Sequence, residues 1–113
     1  MHEYSIVAAL VEKVDAIARE RQAVAVRRLL VRIGELSGVE TELLSTAYAT
    51  FREKTICESA DLTILPVAAR WACSECGKSV PRGEILRCRA CGAPARLAEG
   101  DEIILERVEM EVA

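Results

Sequence analysis

Apolar residues recur at Ile6, Leu10, Val14 and Ile17, at spacings of four and three. That period predicts an amphipathic helix from Glu3 to about Arg21, with Glu12, Lys13, Glu20 and Arg21 facing water. Between Gln22 and Ile33 the period changes. Leu29, Val31 and Ile33 alternate with Arg28, Leu30 and Arg32, which suits a strand with one face on a core. Gly34 and Gly38 then mark a turn. A second helix is expected from Glu40-Thr41, where an acid and a hydroxyl suit free backbone N–H groups. Its buried face comprises Leu43, Leu44, Ala47, Tyr48 and Phe51, and it ends before Ser59.

Leu62 to Arg70 reads as a second strand, and Pro66 places it at a sheet edge or marks a bulge. Ile103 to Val112 reads as a third, with Val108, Met110 and Val112 alternating against Arg107, Glu109 and Glu111. The expected fold class is α+β, two helices packed on a three-stranded sheet. A four-cysteine, zinc-ribbon-like module is inserted between the second and third strands. Residues 1–70 plus 99–113 form one domain and residues 71–98 the insertion, with Gly100 and Asp101 as a hinge back into the core.

With 113 residues the chain has about one domain's length, and at 51% hydrophobic it can build a small core. No apolar run approaches the roughly 18 residues of a membrane span. The start, Met1-His2-Glu3-Tyr4, has no basic region followed by an apolar stretch, so no signal peptide is expected and the cytoplasm is the expected compartment. In a reducing compartment, paired cysteines point to metal or redox chemistry rather than to disulfides.

Four of the five cysteines form two Cys-x-x-Cys pairs, Cys73/Cys76 and Cys88/Cys91, each followed by glycine. This spacing folds the chain into a tight knuckle with both sulfurs toward one ion, and the glycine permits the positive φ of such a turn. Two knuckles make a closed tetrahedral four-thiolate zinc site, which leaves no position for a reactive water and is therefore structural. A segment this short has almost no core, so metal binding must supply much of its folding energy. The fifth, Cys57, reads as a small buried hydrophobe. With a single histidine in the chain, neither a Ser-His-Asp triad nor a Cys-His pair stands out, and no enzymatic activity is expected.

That histidine is His2. Removal enzymes favour small second residues, so Met1 and its amine are expected to stay. The Met1 amine, the His2 backbone nitrogen and the His2 ring can close adjoining chelate rings, with the Glu3 amide nitrogen completing a planar set. Square-planar nitrogen donors favour nickel(II) or copper(II) over zinc. The competing reading is a solvated terminal side chain.

The opening Met1-His2-Glu3-Tyr4-Ser5, the segment Arg32-Ile33-Gly34-Glu35-Leu36-Ser37-Gly38-Val39-Glu40 and the paired cysteines resemble the HypA/HybF family, in the same order along essentially the whole chain. These are nickel metallochaperones that serve maturation of nickel–iron hydrogenase. The resemblance implies structural zinc on Cys73, Cys76, Cys88 and Cys91, and nickel as transient cargo on Met1, His2 and Glu3, with Glu40 a further candidate. It implies as partners an accessory GTPase and the immature hydrogenase large subunit. The chain departs from some members in having no histidine beside the zinc cysteines, a feature linked there to pH response and to urease.

The alternative is a zinc-ribbon module that binds nucleic acid or protein. Five basic and two acidic residues lie between Trp71 and Ala98. A four-thiolate zinc centre carrying about −2 reduces that excess to about +1. This is thin for neutralising phosphates, and Trp71 alone offers stacking. With a net charge of −3 overall, neither a nucleic-acid nor a membrane partner is expected.

Overall fold

The structure is a computed structural model that describes residues 2–83 and 85–113, the His2 side chain excepted. Helix α1 spans His2–Glu20, β1 Ala23–Gly34, α2 Thr41–Phe51 and β2 Asp61–Val67. Three short strands follow, β3 Arg70–Cys73, β4 Ser79–Val80 and β5 Ala95–Glu99, and β6 Ile103–Val112 closes the chain. Two helices and two three-stranded sheets make an α+β fold. The first sheet has the order β2-β1-β6 and the second β4-β3-β5.

In the first sheet β1 is central, parallel to β2 and antiparallel to β6. The parallel pair needs a crossover, and α2 supplies it. Val26, Leu29, Val31 and Ile33 of β1 face a core closed by Val7, Leu10, Val11, Val14 and Ala18 of α1 and by Leu44 and Tyr48 of α2. The Tyr48 hydroxyl is buried there and donates to the Ala60 carbonyl at 2.8 Å. Pro66 pairs with Ile33 on the outer strand β2, where its missing N–H costs no ladder bond.

Several local expectations shift. The buried stripe of α1 includes Val7, Val11 and Ala18, while Ile6 and Ile17 are only partly buried. The strand starts one residue late because Gln22 takes a left-handed φ of 57° to end the helix. Helix α2 ends at Phe51, before Ser59 as expected. Lys54 turns left-handed at φ 62°, and the Glu58 carboxylate accepts its N–H at 2.7 Å. Leu43, expected inside, is 55% exposed, because only one flank of α2 meets the body. In β6 a register shift opposite Leu30/Val31 breaks the alternation. Leu105 therefore shares the core face with Val108 and Met110, which pack inward as expected, while Val112, paired with Ala23 at the end of the ladder, is exposed.

The first and second sheets meet end to end, giving a body 56 × 28 × 16 Å. The junction is tight. A Cβ on Gly34 would lie 2.2 Å from the Gly100 carbonyl carbon, and one on Gly100 would lie 2.5 Å from the Ala69 Cα. Leu36 N–H also donates to the Gly100 carbonyl, at 2.6 Å. The residues read as a hinge are thus a packed crossing.

Candidate metal centres

The four paired cysteines sit at the far end of the second sheet. Each pair is built the same way. Gly77 N–H donates to the Cys73 carbonyl at 3.1 Å, and Gly92 N–H to the Cys88 carbonyl at 2.9 Å. Cys73 N–H donates to the Lys78 carbonyl at 2.8 Å, and Cys88 N–H to the Ala93 carbonyl at 2.9 Å. Gly77 and Gly92 have φ of 76° and 74°, the conformation the knuckles demand. Ser74 ties the two together, since both its N–H and its hydroxyl donate to the Pro94 carbonyl.

All four sulfurs lie within 4.8 Å of one another, and they are the one metal-holding group of this kind among the described residues. Cys73 Sγ is 3.3 Å from Cys91 Sγ, and Cys76 Sγ is 3.7 Å from Cys88 Sγ. Sulfurs bound tetrahedrally at about 2.3 Å to one ion stand about 3.8 Å apart, so the cage has the size of a zinc site. No disulfide joins the cysteines.

The electrostatics suit a cation as well. The N–H groups of Cys76 and Glu75 point at Cys73 Sγ, both at 3.4 Å, and bring that thiol down to about 6. The N–H groups of Cys91 and Ala90 lower Cys88 in the same way. Cys91 goes up to about 12. The Ala93 backbone donor that lowers it is outweighed by the neighbouring sulfurs of Cys73, Cys88 and Cys76 and by desolvation. Thiolates crowded this closely repel one another, and a dication between them removes the repulsion.

The second candidate centre is the amino end. Met1 and the His2 side chain lie outside the described residues, so geometry is available for Glu3 and Glu40. The structure brings these two together across 37 positions of sequence, with the Glu3 Oε2 accepting the Glu40 N–H at 3.2 Å. Glu40 occupies the N-cap of α2, as expected, but its side chain makes no capping bond. Tyr4 holds α1 against α2 through an edge-to-face contact with Phe51, centroids 5.2 Å apart.

Cys57 is fully buried in the core, and burial raises its thiol above the ordinary value. Sequence reasoning missed one polar constellation. Glu35, just after β1, accepts from Ala69 N–H at 2.8 Å and receives both guanidinium nitrogens of Arg82. Residues 35 and 82 carry no local signal of pairing.

The chain matches the family model described as "Hydrogenase/urease nickel incorporation, metallochaperone, hypA" over residues 1–110. It belongs to the HypA family. It is 40% identical to the hydrogenase maturation factor HypA of Shewanella oneidensis, over 100% of this chain and 98% of that one. It is 38% identical to the HypA of Aquifex aeolicus, over 99% of each. The solution structure of the nickel metallochaperone HypA from Helicobacter pylori superposes with a TM-score of 0.74 at 29% identity, covering 98% of each chain. A second HypA solution structure gives 0.83 at 30% identity, covering 100% of this chain and 98% of the other. The HypA family comprises nickel metallochaperones of hydrogenase maturation, and the present member carries a four-cysteine metal site that fits zinc. Among the described residues no helix is long and apolar enough to cross a membrane.

Proposed function

We propose that this protein binds nickel(II) at its amino end and hands it on during maturation of nickel–iron hydrogenase. In this reading Cys73, Cys76, Cys88 and Cys91 hold a structural zinc. Nickel is cargo, held by the Met1 amine, the His2 backbone and ring nitrogens and Glu3, with Glu40 in reach. The accessory GTPase and the immature large subunit are the partners, the cytoplasm is the compartment, and no catalytic step is assigned to the protein. Residues 1–70 with 99–113 act as the nickel-binding domain and 71–98 as the zinc domain.

One observation carries the nickel assignment: the Glu3–Glu40 contact beside a helix that begins at His2. Backbone N–H groups in the first helical turn have no intrahelical acceptor, so the nitrogens of His2 and Glu3 can bind a metal without breaking a helix bond. The positive end of the helix disfavours a cation. Loss of the amide protons and the carboxylate of Glu3 in the same turn offset this. Donors on a chain end detach one at a time, which suits transfer by ligand exchange.

The test is metal analysis of protein that begins at Met1, after nickel titration, beside His2→Ala and a form extended before Met1. One zinc and one nickel are expected in the parent, and zinc alone in both altered forms. Nickel retained at full affinity in both would end the assignment.

A further inference from the structure

Residues 70–99 hang from the body by two connections, Ala68-Ala69 and Gly100-Asp101. No strand of the second sheet packs broadly on an element of the body. The packed crossing of Gly34, Gly100 and Ala69 lies at the pivot itself, where contacts resist sliding but have little leverage against rotation. Arg82 is different. It belongs to the loop after β4, away from both connections, and it reaches back to the body.

The geometry points to a clasp: Arg82 and Glu35 are positioning residues that hold the four-cysteine unit in one orientation on the body. The guanidinium meets the carboxylate with two parallel bonds, NH1 on Oε1 at 2.5 Å and NH2 on Oε2. Such a fork fixes direction as well as distance. Glu35 Oε1 simultaneously accepts Ala69 N–H at 2.8 Å, so one carboxylate grips both a connection and the lever arm. The other charged groups nearby have partners. Arg70 pairs with Glu99 at 3.4 Å, and the Glu102 carboxylate accepts Gly100 N–H at 3.2 Å. Arg82 therefore has Glu35 as its counter-ion, and the pair draws the Glu35 carboxyl far below its ordinary value. The Arg82 side chain is 58% exposed, so removing it opens no cavity and leaves the fold of each unit intact.

The proposal rests on the reading that the four cysteines fold around zinc, and zinc content measured on every sample separates loss of metal from loss of the clasp. Residual dipolar couplings of zinc-loaded, ¹⁵N-labelled protein report whether the two units tumble as one body. In the parent a single alignment tensor should fit both. In Arg82→Ala, with one zinc still bound, the couplings of residues 70–99 should fall by about half relative to the body, the signature of reorientation faster than milliseconds. Arg82→Lys, which keeps the charge but loses the fork, should fall between the two. Glu35→Ala should also speed Ala69 amide exchange about tenfold, since its acceptor is gone. A single tensor that fits all of Arg82→Ala, zinc retained, would overturn the clasp.

Discussion

At the scale of single residues, what matters is which polar atoms the fold brings within bonding distance. Tyr48 donates to the Ala60 carbonyl inside the core, and burial pushes its phenol well above the ordinary value. Tyr48→Phe should lower stability by about 1 kcal/mol, the worth of that one bond, since the Ala60 carbonyl keeps the Arg52 guanidinium as a donor at 2.9 Å, read by denaturant midpoint at constant slope. Gly34→Ala should cost about 1–3 kcal/mol. The added methyl meets the Gly100 backbone rather than a side chain that could swing away, and a melting curve checks it. Glu35, held down to about 2 by the Arg82 bonds first and the Ala69 N–H second, stays ionised throughout the neutral range. Its folded value lies below the ordinary 4.5. Its contribution is therefore complete above pH 4.5 and is lost as pH falls from there toward 2. The stability difference between parent and Glu35→Gln should accordingly be flat from pH 7 to 4.5 and shrink below it.

At the scale of elements, local periodicity proved a good guide to what forms and a weaker guide to which flank is covered. The 3.6 period of residues 3–21 and the alternation at Leu29, Val31 and Ile33 are backbone geometry expressed in solubility, so α1 and β1 were legible. Their ends fell within one residue of the expected positions, although Gln22 after α1, like Lys54 after α2, adopts left-handed backbone without being glycine. The apolar run from Leu43 to Phe51 showed a helix but not which flank would be covered. Leu44 is fully buried and its neighbour Leu43 is half exposed. Leu44→Ala should cost about 2–5 kcal/mol and Leu43→Ala well under 1, a contrast that chemical denaturation resolves directly.

At the scale of the whole molecule, the chain is two sheets joined end to end, each closed by different physics. The β2-β1-β6 sheet is held by apolar burial under two helices, whereas the strands β3, β4 and β5 enclose little core and end on the four sulfurs. Stripping the metal with a strong chelator should therefore collapse amide dispersion for residues 70–99 and leave the signals of Val7, Leu29 and Leu44 in place. Loss of both sets together would mean the two regions fold as one cooperative unit.

The sequence by itself determined the metal cage, since Cys-x-x-Cys-Gly is a local spacing whose turn geometry follows from two covalently close residues and one permissive glycine. It also determined the types of α1, β1, α2, β2 and β6, though not the short strands β3, β4 and β5, and, through motifs spread along the chain, the family. The tertiary structure alone decided that Glu3 meets Glu40 and that Arg82 clasps Glu35, across 37 and 47 positions. Polar contacts between distant positions leave no periodic trace, because an exposed charged residue fits its own local pattern whether or not its partner lies nearby. Only the crossing of the chain at Gly34 and Gly100 brings the second pair within reach.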